Sequence, residues 1–371
     1  MKKKILFFHF DLQGGGAEKV LTNLLNNLSP EKYDITLQTL FGVGPNLKAI
    51  PQYVHFKCLF KREFRGFSKF MKLFSPTFLH KLIVRDTYDI EIGYMENSPT
   101  RIISGCTRKE TKKIAWVHTT FDDFDACTQS FRNFEEVLRS YKSFDKIVFV
   151  SEQAKKVFEK KMPQISTPKS VLHNVNNIKK IIELSKENCP ISLNDNVVNI
   201  CSVGRLIPVK GYDRLLRILK LLHDDPTVPV FNFYFLGKGA IESDLKELSK
   251  KLKLENVVSF LGYDENPYRY VSKMDLFVCS SYKEGYSTAV SEAIVLGVPV
   301  VTTECSGMKE ILNDGQYGLI VQNSEQDLLN GLKKYLKEET LQNQYKTALN
   351  NRERQCFNLE LNKYELLFDS I

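Results

Sequence analysis

Two glutamates, Glu284 and Glu292, have seven residues between them in the stretch SSYKEGYSTAVSEAIVLGVPVVTTECSGMKEIL (280–312). Glu284 follows the apolar run DLFVCSS (275–281), so it falls in a loop at the end of a strand. A helix is expected from Ser287 or Thr288 to Gly297, with Pro299 beyond it as a stop. The first N–H groups of such a helix, those of Ser287, Thr288 and Ala289, lack partners within it and make a natural seat for a diphosphate. From these positions Glu284 can reach a sugar hydroxyl and Glu292 can accept from a ribose diol. The plainer alternative is that both glutamates are solvated and Glu292 lies on an exposed face.

A second group lies in SVGRLIPVKGYDRLL (202–216), where Arg205 and Lys210 flank a loop that turns at Pro208 and reaches Gly211. Two cations at the carboxyl end of a strand can hold a leaving diphosphate without a metal; the alternative is ordinary surface charge. A third group is HFDLQGGGAEKV (9–20), in which Gly14, Gly15 and Gly16 let backbone approach a ligand closely. Its spacing is not GxGxxG, so the dinucleotide-binding fingerprint is absent. His118 closes an apolar run and can face a cleft, although a lone histidine is more often structural. Asp122, Asp123 and Asp125 have the look of a metal-binding DxD triplet, yet acids near a helix start commonly serve the helix dipole. Ser151 and His173–Asn174 close two further runs and can line the same cleft.

These groups need strands to position them. Short apolar runs recur at 4–10, 35–41, 53–60, 88–94, 112–118, 146–151 and 170–174, and again at 197–204, 230–237, 257–262, 275–281, 298–303 and 317–321. Continuous rather than alternating apolar character indicates strands buried on both faces. Helical patterns between them, such as Ala17 to Leu28, predict βαβ units and parallel sheets. With 371 residues the chain suits two domains. The expected layout is an α/β fold of two Rossmann-like, doubly wound parallel-sheet domains facing a central cleft. The first domain spans 1–178, a linker 179–196, and the second domain 197–354, with a helix over about 355–371 packing back on the first.

Charged residues at 26% and hydrophobic ones at 43% suit a soluble globular protein, and no apolar run approaches the roughly 20 residues of a membrane span. The start MKKKILFFHFDLQGGG lacks a signal-peptide cleavage pattern and reads as a first strand, which implies a cytoplasmic protein. The eight cysteines contain no CxxC pair and no zinc spacing, so reduced structural thiols are expected. Net charge is +8, and eight Lys or Arg fall between Lys57 and Arg85 against one acid, Glu63. Phe56, Phe60, Phe64, Phe67, Phe70, Phe74 and Phe78 are interleaved with them. That mixture suits an anionic membrane surface, or else a helical hairpin with a phenylalanine core. No nucleic-acid-binding pattern accompanies the charge.

Taken together, EGYSTAVSEA, GRLIPVKGYDRLL, FLGKG (235–239), SSYKEG, GVPVV and the early GGGAE resemble the GT-B retaining glycosyltransferases of family four, the glycosyl transferases group 1. The likeness is strongest over about 197–322 and thinner over 1–174. It implies a donor site for a nucleotide-diphosphate sugar made of Gly15, Gly16, Arg205, Lys210, Glu284, Gly285, Tyr286, Ser287, Thr288, Ala289 and Glu292. In that set Arg205 and Lys210 bind the diphosphate, Glu292 the ribose and Glu284 the transferred sugar, while His118 lies beside the sugar. Glu284, His118, Arg205 and Lys210 are the implied catalytic groups. The family works without a bound metal or other cofactor, UDP is the commonest nucleotide, and the acceptor is a growing or lipid-linked glycan. Tyr286 and HNVNN (173–177) depart from the pattern of many members. Rival readings are a nucleotide-sugar epimerase or hydrolase of the same shape, a nicotinamide-dependent dehydrogenase, which the absent fingerprint disfavours, and a non-catalytic glycan-binding module.

Overall fold

The computed structural model of the chain describes every residue except Gly14, Phe64, Arg65, Asp195 and 352–355, together with the backbone but not the side chains of Ser68 and 356–359. Gly14 of the glycine loop and Phe64 and Arg65 of the basic stretch therefore lie outside the described residues. Two compact units result, Met1–Asn177 with Gln355–Ile371, and Ile178–Arg354.

The first unit holds strands β1 (Lys3–His9), β2 (Tyr33–Phe41), β3 (His55–Phe60), β4 (Ile90–Gly93), β5 (Lys112–Val117), β6 (Lys146–Phe149) and β7 (Lys169–Val171) in the order 3-2-1-4-5-6-7. The second holds β8 (Val198–Val203), β9 (Phe231–Leu236), β10 (Val258–Gly262), β11 (Leu276–Cys279), β12 (Val300–Thr303) and β13 (Gly318–Val321) in the order 10-9-8-11-12-13. All pairings are parallel. Each apolar run named above contributes one strand. The central strands are buried on both faces because helices cover them, and Ile5, Leu6, Phe7 and Phe8 of β1 are all fully buried, whereas the edge strand β3 is largely exposed. Strand order reverses direction between β1 and β4 and between β8 and β11, which is where ligands of doubly wound sheets bind.

The last helix, Cys356–Ser370, packs on the first sheet: Tyr364 stacks on Trp116 at 5.4 Å and Phe368 meets Phe7 edge-on at 6.0 Å. The segment 179–196, read above as linker, begins inside a helix, Ile178–Ser185. Ile181 is buried there, and the Asn266 amide donates to the Leu184 carbonyl at 2.8 Å. Apolar residues at 178, 181 and 182 give that segment a helical face, and packing against helix Tyr268–Val271 makes it part of the second unit.

The basic aromatic stretch divides between its two readings. Phe67 is buried and Phe60 and Phe74 pack against the core, whereas Phe56, Phe70 and Phe78 are exposed, as are Leu73 and Leu82. Arg101 fixes this arrangement from below. Its guanidinium pairs with Glu136 at 3.0 and 3.1 Å and donates to the carbonyls of Met71 and Phe74. The chain ends of the short helix Phe67–Met71 are thus held, and its outer side chains stay outward.

At the start of β4, the fully buried Glu91 accepts from His80 at 2.6 Å and from Arg108 at 2.8 Å, with Cys106 also in the cluster. Burial by itself would lower the His80 imidazole, but its bonds to Cys106 and Glu91 outweigh that and hold it above its usual value. Burial would likewise raise Glu91, but His80 and Arg108 keep it below the usual carboxylate range. His80 therefore contributes stability that is complete below its unfolded pKa near 6.5 and is lost as pH rises through its folded value; Glu91 contributes above its unfolded value and fails as pH falls. Thermal melts should show this contribution to Tm fading as pH rises past the unfolded His80 value of about 6.5, and His80→Phe should flatten that slope. Glu91→Gln breaks a buried pair and should cost about 3–5 kcal/mol in denaturant unfolding.

Candidate functional site

In the second unit the loops that follow two neighbouring strands, β8 and β11, are laced together. After β8 the chain passes Gly204 and Arg205, makes a 3-10 turn at Pro208–Lys210 and enters helix Tyr212–His223 through Gly211. Gly211 has φ +63°, and a Cβ there would stand 2.3 Å from the Ser280 carbonyl oxygen, so no larger residue fits. That close approach lets the Ser280 hydroxyl donate to the Lys210 carbonyl at 2.9 Å and the Tyr282 N–H to the Val209 carbonyl at 2.8 Å. The result is that the Lys210 ammonium donates to Glu284 Oε1 at 2.6 Å, while the Ser281 hydroxyl donates to the same oxygen at 2.6 Å.

Burial would draw the Lys210 ammonium down, but Glu284 more than offsets it and keeps the group above its ordinary value even with Arg205 repelling it. Lys210 is thus a lasting cation, its charge balanced by Glu284. Arg205 is exposed beside it. Helix Thr288–Val295 starts nearby in the chain, capped by the Ser287 hydroxyl, which accepts from the Val290 N–H. The N–H groups of Ser287, Thr288 and Ala289 have no acceptor among the described residues. Gly285 and Tyr286 are half-buried, and the Gly307 loop packs against the Tyr286 ring.

Glu292 is buried, not on an exposed face, and Oε1 accepts from the Tyr268 hydroxyl at 3.1 Å. Both side chains line a small pocket with Val203, Pro267, Phe277 and Ala289. Glu284 and Glu292 therefore keep separate company, one with Lys210 and one with Tyr268.

The groups of the first unit occupy the corresponding sheet edge. Gly15 precedes helix Gly16–Asn27, and a Cβ on it would meet the Glu18 carboxylate at 2.1 Å, so Glu18 folds over that position. His118 directly follows β5; its N–H and that of Thr119 both donate to Glu96, at 2.6 and 2.7 Å. Asp123 caps helix Phe124–Thr128 by accepting from the Ala126 N–H, and Asp122 and Asp125 are exposed, which is the helix-start role for that triplet. The Ser151 hydroxyl caps helix Glu152–Lys161. His173 and Asn174 follow β7, and the His173 carbonyl accepts from Tyr364. The seven cysteines with described side chains are free thiols.

Sequence reasoning missed Arg214. Its buried guanidinium donates to the Ser280 carbonyl at 2.6 and 3.0 Å, to the Ser281 carbonyl at 2.9 Å and to Asn323, and the Tyr282 ring lies 3.9 Å from it. The signal was a charge in the apolar stripe of helix Tyr212–His223, four residues before the buried Ile218. His9 and Tyr94, neighbours of His118, were also missed, because nothing in their local sequence marks them.

Two parallel-sheet α/β units of this order define the GT-B class of glycosyltransferase fold. Residues 174–352 match the family Glycosyl transferases group 1. The chain is 28% identical over 369 residues, 94% of each chain, to N-acetylgalactosamine-N,N'-diacetylbacillosaminyl-diphospho-undecaprenol 4-alpha-N-acetylgalactosaminyltransferase of Campylobacter jejuni. It is 34% identical over 179 residues, 46% of this chain and 43% of the other, to an uncharacterized glycosyltransferase of Methanocaldococcus jannaschii. Among solved structures, HepE of Anabaena with UDP and glucose superposes with TM-score 0.71 at 16% identity over 100% of both chains. Sucrose-phosphate synthase of Thermosynechococcus elongatus does so with TM-score 0.75 at 15% identity, again over 100% of both. The chain is an enzyme, a glycosyltransferase whose residues 174–352 carry the group 1 match.

Arg214→Met leaves the Ser280 carbonyl without its buried donor, at about 1–3 kcal/mol for that unsatisfied group, while the Ser281 carbonyl keeps its bond from the Thr303 hydroxyl. Denaturant unfolding should register that loss, and sugar transfer should fall with it. Lys210→Ala should lower transfer while moving the unfolding midpoint far less.

Proposed function

We propose that the chain transfers a sugar, with retention of anomeric configuration, from a UDP-sugar to a glycan carried on a lipid diphosphate, in polysaccharide or lipid-linked glycan assembly. The observation that carries this reading is the Lys210–Glu284 pair beside Arg205 and the open start of helix Thr288–Val295, all on one sheet edge at the reversal point between β8 and β11.

Arg205 and Lys210, with the helix N–H groups, neutralise charge that grows on the departing diphosphate, so they favour the transition state over the bound donor. Glu284, already paired to Lys210, meets the transferred sugar, and Glu292 with Tyr268 receives the ribose. His118 is the first unit's candidate for contact with the sugar. The acceptor hydroxyl attacks from the face the diphosphate leaves, and a departing phosphate oxygen takes its proton. No metal takes part, because the two cations and the helix start supply the positive charge. UDP is supported by the nucleotide bound in HepE, and the acceptor by the diphospho-undecaprenol in the name of the Campylobacter relative. No helix among the described residues is long and apolar enough to cross a membrane. The protein reaches a lipid-linked acceptor by resting on the inner face of the cell membrane through residues 57–85, where exposed Phe70, Leu73 and Phe78 stand among Lys61, Arg62, Lys69 and Lys72.

Incubation with UDP-, GDP- and ADP-sugars and a polyprenyl-diphosphate acceptor should release UDP in an acceptor-dependent manner, with the product anomer matching the donor and chelation having no effect. Arg205→Ala and Lys210→Ala should each lower kcat by about 10²–10³ with the fold intact; normal turnover in both removes them from the site. Replacing Lys61, Arg62 and Lys69 by Gln should weaken binding to anionic vesicles by about 1 kcal/mol per charge in flotation assays, and unchanged flotation refutes the docking face.

A further inference from the structure

His9, Tyr94 and His118 end or follow three adjacent strands, β1, β4 and β5, and their rings lie together. The His9 and Tyr94 centroids are 6.3 Å apart and those of Tyr94 and His118 4.7 Å. His9 and Tyr94 are fully buried and His118 is 8% exposed. Three polar atoms, His9 Nε2, Tyr94 Oη and His118 Nε2, are buried and have no hydrogen-bond partner in the structure, so none bonds directly to another. Orphans of this kind cost free energy unless something satisfies them, and three on neighbouring rings call for one shared partner.

The protonation pattern follows from geometry. His9 Nδ1 lies 2.6 Å from the Asp11 carbonyl oxygen, which can only accept, so Nδ1 carries the proton and Nε2 is an acceptor. Burial pulls His9 down to about 4, and burial followed by the nearness of His9 pulls His118 down to about 3. Both rings are therefore neutral at pH 7. Tyr94 has one hydrogen to donate.

We propose that an ordered water joins these three atoms, accepting from Tyr94 Oη and donating to His9 Nε2 and His118 Nε2. Its two hydrogens then match the two ring acceptors, and each orphan is satisfied once. This places the His118 proton on Nδ1, so a neutral His118 offers an N–H donor rather than a lone pair to a ligand. His9 and Tyr94 are positioning residues, acting on substrate through the tautomer of His118. The functional consequence rests on the transferase reading above; the tautomer does not.

Long-range ¹H–¹⁵N spectra of the full chain labelled with [¹⁵N]histidine test this at pH 7 without any substrate. The expected result is His9 and His118 both neutral and protonated on Nδ1. Tyr94→Phe and His9→Phe should each shift His118 toward mixed tautomers, and His9→Gln, which keeps an acceptor, should restore the Nδ1–H form. In the UDP-sugar assay His9→Phe should lower kcat/KM about tenfold and His9→Gln should recover it to within threefold. A His118 that is charged, carries its proton on Nε2, or is unmoved in both phenylalanine variants overturns the proposal. Absence of transfer in the unaltered protein, with the tautomers as expected, instead counts against the transferase reading alone.

Discussion

The bond from the Lys210 ammonium to Glu284 Oε1 holds two loops from neighbouring strands in one geometry, and the chemistry of the second unit depends on it. A half-buried cation that carried no counter-charge would lose its proton or draw in water. Glu284 prevents both, and the Ser281 hydroxyl shares the load on the same oxygen. On the function proposed above, a donor diphosphate would meet a cation already charged and oriented, which is how preorganisation reduces the cost of a transition state.

What keeps the pair in register is backbone contact one layer below. Gly211 allows the loops to touch, Arg214 binds the Ser280 and Ser281 carbonyls, and Asn323 reaches the same segment from the end of β13. The electrostatics of the site are thus built on hydrogen bonds made by residues that meet no ligand. Similar reasoning applies in the first unit. Glu96 accepts from two consecutive N–H groups at the end of β5, and the orientation of His118 follows from that anchoring and from Tyr94 beneath it.

The fold was largely legible because its signals are local and repeated. Strands buried on both faces must be continuously apolar, and thirteen such runs separated by helical patterns leave few architectures. Residue type and loop position together marked Arg205, Lys210, Glu284 and the start of the helix at Ser287–Ala289 as candidates, and the structure joins Lys210 to Glu284. Local pattern failed where meaning came from distant partners: Arg214 was not singled out, and His9 read as part of an apolar strand. The segment 179–196 read as linker because the apolar face of its helical start gains value only against helix Tyr268–Val271.

By itself, then, the sequence determined two parallel α/β sheets and the charged and glycine-rich loops at their strand ends, since periodicity and residue type are properties of short segments. Only the tertiary structure decided which charges neutralise each other, that Glu292 turns to Tyr268 while Glu284 turns to Lys210, which phenylalanines of the basic stretch face outward, and that the rings of His9, Tyr94 and His118 lie together. Pairing, burial and protonation depend on distances across the fold, which no local pattern encodes.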